Sequence, residues 1–318
     1  MKQHLLRIPL FFLILAILLG ALSALFLPKG NRLEDGIQDP ALYAFLGEPE
    51  NSLDVVVVGD SIPLCSFIPA YLWQEQGIPS YVCASTAQSA ESSYSVLKTF
   101  FRRQAPKVVL YEADQLFLEM TLADLVAAER DRVLPVFQYH SNWKYVSPRQ
   151  MLSSPDYTQV SAEKGYHMRK TLKSLTVLPE VDLQDPSVAP ISKTNQHAFR
   201  KTLELCQKNQ AQLVLYSAPN AVGWSVSRYN TLAALAERLG ITYLDGNLDC
   251  PDIDWARDTV DAGEHLNLHG AKRATLWLAR TLSGMDLLSD RRADPAYAAW
   301  DASLEEFLAK ATDPDLYW

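Results

Sequence analysis

Leu53-Asp54-Val55-Val56-Val57-Val58-Gly59-Asp60-Ser61 is the stretch that decides the fold. Four successive β-branched valines lose side-chain freedom in a helix and suit a pleated strand. The run does not alternate with polar residues, so both of its faces are buried, as in a parallel sheet. Glycine ends it, and a polar turn follows. Similar short runs recur at residues 79–83 (PSYVC), 107–111 (KVVLY), 212–216 (QLVLY) and 241–244 (ITYL). Helical spacing of apolar residues fills the intervals at residues 66–76, 89–103, 195–208, 225–239 (before Gly240) and 268–282. Strands alternating with helices over short links predict a five-stranded parallel sheet covered on both faces, a three-layer α/β/α fold.

Outward from that core the chain divides into further segments. Residues 8–28 (IPLFFLILAILLGALSALFLP) carry no charge and are long enough to cross a bilayer as a helix. Lys2 and Arg7 precede the run, and Lys29 and Arg32 follow it. A first apolar segment behind a short basic tail leaves the tail inside and sends the rest out. A cleaved signal peptide is the other reading. Against it, the run is longer than an h-region, and only Ala21-Leu22-Ser23 approximates a cleavage site. The expectation is therefore a single-pass anchor at residues 1–29 and an extracytoplasmic domain on the cell membrane. Residues 30–52 read as a polar linker and 53–285 as the main domain. Within that domain, residues 115–194 form a proline-punctuated insertion with one helical stretch near 120–134. Residues 286–318 read as a helical tail holding Trp300, Phe307 and Tyr317.

The 318 residues are 48% hydrophobic and 21% charged, enough for a sizeable core. The first thirty residues hold three positive charges and no acid, so the net −8 of the whole chain becomes −11 for the rest. An acidic surface repels phosphate backbones, which disfavours nucleic acid as a partner and leaves neutral or cationic substrates and glycans. Cys65, Cys83, Cys206 and Cys250 match no CxxC or zinc spacing; three lie in apolar stretches and read as core residues. No HExxH, GxxxxGK or GxGxxG pattern occurs, so no metal or cofactor is expected.

In open parallel sheets, sites form at the carboxyl ends of strands. The candidates are Gly59-Asp60-Ser61 after the first strand, residues 83–88 after the second, Glu112-Ala113-Asp114 after the third, and residues 261–270 (DAGEHLNLHG) before the last long helix. A serine hydroxyl needs a base to take its proton. His265 can serve, with Asp261 to orient its imidazole; Asp258 is the rival acid. His269 reads as a helix-start residue. His140 and Trp143 in the insertion, and Asn220 and Trp224 after the fourth strand, are candidates for a glycan-binding surface.

VVVVGDS, followed far downstream by DAGEHLNLHGAK, resembles the first and last blocks of the SGNH/GDSL hydrolase superfamily, with its flavodoxin-like α/β fold. SFIPAYLW, GIPSYVCASTAQSAESSYSVLK and KVVLYEADQLF between them resemble a bacterial, membrane-anchored branch. That branch is related to the D-alanine-transfer protein of teichoic acid modification and to the SGNH acetyltransferases of exopolysaccharide assembly. The resemblance implies that Ser61 is the nucleophile, His265 the base and Asp261 the orienting acid. It implies an oxyanion hole from the Ser61 N–H and from second-block and third-block residues. Ala84 stands where the second block carries glycine, and Asp114 where the third carries asparagine; Gln88 is a substitute donor. The function so implied is O-acyl ester hydrolysis or acyl transfer on an envelope glycan or polymer. The alternative is a catalytically impaired member that binds or assembles.

Overall fold

The computed structural model describes residues 2–146, 154–250 and 253–312, with backbone only for residues 2–6. Five strands form one parallel sheet: β1 Val55–Gly59, β2 Ser80–Ala84, β3 Val108–Glu112, β4 Gln212–Ser217 and β5 Thr242–Asp245. Their order is β2-β1-β3-β4-β5. The first three begin later than the apolar runs suggested and extend one residue into the polar turn. Backbone pairing with the neighbouring strand, Gly59 with Ala84 for one, outlasts the hydrophobic signal.

The helices, in chain order, are α1 Lys2–Phe26, α2 Pro40–Tyr43, α3 Ser61–Ser66, α4 Pro69–Gln76, α5 Ala90–Phe100, α6 Leu122–Val133, α7 Val136–Tyr139, α8 Lys193–Lys208, α9 Val226–Leu239, α10 Gly246–Asp249, α11 Leu268–Ser283 and α12 Ala299–Thr312. The helix expected across residues 66–76 begins only at Pro69, and the separate helix α3, which was not expected, ends at Ser66. Pro69 pushes Ile68 out of the helical region (φ −112, ψ 101) and then starts α4 from its first turn. α9 stops at Gly240, whose φ of 63° supplies the left-handed cap.

Alternate residues of each strand enter opposite layers. Val56, Val58, Tyr81, Val109, Tyr111 and Leu215 pack with α5, α8 and α9. Val55, Val57, Val82, Leu110, Val214 and Tyr216 pack with α3, α4 and α11. Both layers are apolar, which is why the strand sequences do not alternate. All four cysteines are buried. Within the tail, Trp300 and Phe307 of α12 are buried and Trp73 Nε1 donates to Asp301 Oδ1 at 2.9 Å; Tyr317 lies outside the described residues.

Residues 30–52, expected as polar linker, are folded onto the domain. Leu42, Ala44, Phe45 and Leu46 enter the core, and Tyr81 Oη donates to Ala41 O at 2.6 Å. The reason is β2, an edge strand whose outer side would otherwise be bare. The insertion covers the same edge: Val82 N donates to Lys164 O at 2.9 Å. Gly165 beside it has φ +87, and a Cβ there would fall 2.1 Å from Val82 O, so glycine is required for this close approach. Lys164 Nζ meets Glu48 at 2.7 Å, with side chains 5% and 4% exposed, and lies 4.8 Å from the Trp300 ring centroid. One buried pair thus ties the linker, the insertion and the C-terminal helix together.

Removing one charge leaves the other buried and alone. Glu48→Gln is expected to lower stability by about 3 kcal/mol in urea unfolding of the detergent-solubilised chain, followed by tryptophan fluorescence. Glu48→Gln/Lys164→Met should recover most of that loss.

Candidate active site

The sequence reverses direction across the sheet between β1 and β3. β1 is followed by β2 on one side, and the chain then returns to place β3 on the other. The carboxyl ends of β1 and β3 therefore flank the crevice where open α/β sheets hold ligands. Gly59 closes β1. A Cβ there would lie 2.6 Å from both Glu112 Cβ and Pro63 Cγ, so only glycine lets the two strand ends approach and α3 begin at once. Asp60 caps α3, its Oδ1 accepting from Ile62 N at 2.9 Å. That places Ser61, half-buried, at the first position of the helix.

Ser61 Oγ lies 2.8 Å from His265 Nε2, across 204 residues of chain. His265 Nδ1 lies 2.6 Å from Asp261 Oδ2. A carboxylate only accepts, so Nδ1 carries the proton and Nε2 is left to accept from the serine hydroxyl. Asp261 Oδ1 also accepts from His265 N at 2.8 Å and Glu264 N at 3.2 Å. Burial works against the Asp261 carboxylate, yet the His265 amide and ring hold it below its ordinary pKa. It is thus kept ionised beside the imidazole.

The four-residue separation of Asp261 and His265 fits because the loop turns through two positive-φ residues, Ala262 (φ 67) and Gly263 (φ 109). The loop is closed by Thr259 pairing with Leu266 and by Gly263 N donating to Thr259 Oγ1 at 2.7 Å. The rival Asp258 is committed elsewhere: its Oδ2 accepts from Asp254 N at 2.8 Å and pairs with Arg273 Nε at 3.3 Å. His269 is exposed on the first turn of α11.

The remaining predicted residues divide. Ala84 ends β2 beside Gly59, next to the serine turn. Gln88 is buried, but its amide group is spent within its own turn, donating to Cys83 O at 3.1 Å and Ser93 Oγ at 2.9 Å. It is therefore not available as an oxyanion donor. Asn220 is likewise committed, its Oδ1 accepting from Gly223 N at 2.6 Å, and Trp224 Nε1 donates to Asp245 Oδ2 at 2.9 Å. Their loop still borders the Asp261–His265 turn through Ala221 N to Gly263 O, 2.8 Å. His140 and Trp143 lie on a segment docked against α1, where Asn142 Nδ2 donates to Phe26 O at 3.1 Å. That tie belongs to the α1 end of the molecule, not to the serine crevice.

Asp114 opens the turn after β3 and meets Arg228 at 3.5 Å. Burial pushes its pKa up to about 7, opposed by Arg228 and reinforced by Asp60 and Asp245. Where the resemblance leads one to expect the neutral amide of asparagine, there is a carboxyl whose charge burial opposes. Glu112 below it is fully buried and held well above its ordinary pKa by that burial, then by Asp114 and Asp60.

Sequence reasoning missed the strap formed by residues 167–175 of the insertion. Lys173 N donates to Thr259 O and Lys173 O accepts from Ala262 N; Leu175 N donates to Trp255 O and Leu268 N to Arg169 O. Leu175 also packs on Gly263, and Arg169 reaches Cys65, one turn beyond Ser61. No residue pattern in the strap announces this, because its bonds to the loop are made by backbone. Asp261, Glu264 and His265 offer three possible metal-ligand atoms within 4.8 Å, but the Asp261 and His265 side chains already bond each other.

Fold and site together define a parallel α/β protein with a Ser-His-Asp relay at the carboxyl edge of its sheet. No family model matches the chain, and no curated protein does. Among solved structures it is similar to a protein from Desulfitobacterium hafniense assigned to the G-D-S-L lipolytic family. The identity is 13% over 72% of this chain and 99% of that one, with a TM-score of 0.41. A protein from Bacteroides fragilis assigned as an acylhydrolase is 12% identical over 78% and 96%, with a TM-score of 0.38. Likeness at this level says nothing of activity or substrate.

An acid with a raised native pKa keeps its proton where the unfolded chain has released it. Between the ordinary 3.8 and about 7, the Asp114 proton therefore stays with the native state, and stability falls as pH rises through that window. The slope from one such group is at most about 1.4 kcal/mol per pH unit. Asp114→Asn should flatten the decline relative to wild type, as measured by denaturant unfolding across the window; parallel curves would refute the assignment.

Proposed function

We propose that the chain is a serine-dependent O-acyl ester hydrolase or acyltransferase. Its substrate would be an envelope glycan or polymer at the outer face of the membrane that α1 crosses. The observation that carries this reading is the continuous relay from Ser61 Oγ to His265 to Asp261, at 2.8 and 2.6 Å. Side chains from opposite ends of a sequence rarely meet in donor-acceptor order without chemical use.

In this mechanism Ser61 Oγ attacks the ester carbonyl carbon while His265 Nε2 takes its proton. The N–H groups of Ser61 and Ala84 hold the oxyanion. The tetrahedral intermediate collapses, the alcohol leaves with the proton from His265, and the acyl group stays on Ser61. Water, or a hydroxyl of an acceptor sugar, then attacks the acyl carbon with His265 again as base; the second intermediate collapses, the bond from the acyl carbon to Ser61 Oγ breaks, and His265 returns the proton to Oγ. Asp261 keeps the imidazole in the tautomer that both halves require and balances its charge when protonated. An acidic outer domain agrees with a neutral or cationic substrate. The apolar helix over residues 7–26 has a mean hydropathy of 2.7 and would hold the site near lipid-linked or wall-linked material.

The full chain in nanodiscs is expected to react with a fluorophosphonate probe and to hydrolyse p-nitrophenyl acetate. Ser61→Ala should abolish both, and Asp261→Asn should lower kcat by on the order of 10³–10⁴ through the wrong histidine tautomer. Wild type that stays unlabelled, or Ser61→Ala labelled equally, would sink the reading.

A further inference from the structure

α1 is not a loosely tethered anchor. Its last turn is built into the folded domain. Ser23 is buried and its Oγ accepts from Val136 N at 3.2 Å; Asn142 Nδ2 donates to Phe26 O at 3.1 Å and to Gly36 O at 3.2 Å. Immediately after the helix, Gly30 bridges to Asp156, and Asn31, fully buried, exchanges two bonds with Gln159 at 2.7 and 3.0 Å. The rest of the helix stands free: the apolar window within residues 7–26 is only 6% buried.

These facts set a ruler. Twenty helical residues rise about 30 Å, the thickness of a hydrocarbon core. If residues 7–26 span that core, the far hydrocarbon boundary falls at Ser23 to Phe26. The segment pinned at that level is residues 136–145. It presents Phe137, Trp143 and Tyr145 to solvent at 41%, 64% and 42% exposure, with exposed Lys144 between the last two. The Phe137 ring is covered on one side by the Arg130 guanidinium, 5.0 Å from its centroid, while Trp143 and Tyr145 stand exposed on either side of Lys144. They fit the region where rings lie at headgroup depth and lysine reaches phosphate. At the same level a cavity of about 280 Å³ opens between the helix end and Lys29, Arg32, Asp35, Tyr145 and Asp156. Its walls carry both signs of charge, as phospholipid headgroups do.

We infer that the α7 segment through Tyr145 is a second membrane contact, seated in the headgroup layer of the bilayer that α1 crosses. It rests on the reading of α1 as a membrane span. The contact fixes the rotation and tilt of the domain on the bilayer, which a single helix with a flexible linker could not do.

The test uses the full chain, with an environment-sensitive NBD label on Trp143→Cys, Tyr145→Cys, Leu15→Cys within α1, or Glu237→Cys at the far sheet edge. Each variant is placed in phosphatidylcholine–phosphatidylglycerol nanodiscs carrying a nitroxide at the headgroup or near the acyl-chain end. Cooperative unfolding of each variant checks that it is folded. Labels at 143 and 145 should shift to the blue and be quenched several-fold more by the headgroup nitroxide than by the chain-end one. Position 15 should show the reverse preference, and 237 neither effect. If 143 and 145 behave like 237 while 15 is quenched, the second contact is wrong and the anchor stands. If 15 is also unquenched, the anchor reading fails and takes this inference with it.

Discussion

The structure turns on the close approach of two strand ends. β1 and β3 meet where Gly59 has no room for a side chain, pressed between Glu112 and Pro63. That contact ends β1 at one residue, lets Asp60 cap α3 at the next, and leaves Ser61 at the mouth of the crevice. A bulkier residue would push the turn outward and move the serine hydroxyl away from a histidine only 2.8 Å distant. Reach at this scale leaves little tolerance, because side-chain hydrogen bonds lie within about 2.5–3.2 Å and a contact at about 3.6 Å is no longer one.

Burying acids beneath that turn is unfavourable on its own. Asp60, Glu112 and Asp114 all have raised pKa values, burial being the first cause in each case. Arg228 offsets part of this at Asp114, as does the Ile62 amide at Asp60. The Asp261 carboxylate, by contrast, is held below its ordinary pKa. The crevice thus holds carboxyls shifted in opposite directions from their ordinary pKa within one sheet edge, an arrangement typical of sites that handle protons.

The insertion does three structural jobs at once. Its early part docks the end of α1, and residues 156–166 complete the bare edge of β2. Its later part then straps the Asp261–His265 loop through backbone bonds, so the loop that supplies the base is held from outside as well as by its own turn. The buried Lys164–Glu48 pair anchors the middle of this path. The packing around the end of α1 and the site geometry are therefore linked through one continuous segment.

The sequence by itself determined the sheet, the apolar N-terminal helix, and Ser61 and His265 as the serine and base. Each leaves a local mark: a β-branched run ended by glycine, an uncharged apolar run over residues 8–28, and short polar motifs at strand and helix ends. It misjudged residues 30–52, because composition reports polarity on average and cannot show that Phe45 and Leu46 are needed to cover an edge strand. It left Asp258 and Asp261 as rivals, since both lie within reach of His265 along the chain. Only the tertiary structure decided between them, by giving Asp258 to Arg273 and folding Ala262 and Gly263 through positive φ. It also withdrew Gln88, placed His140 and Trp143 beside the end of α1, and made Asp114 a carboxyl whose pKa burial pushes up to about 7. In each case the deciding quantity was a partner or a burial contributed by residues far away in sequence, which no local pattern encodes.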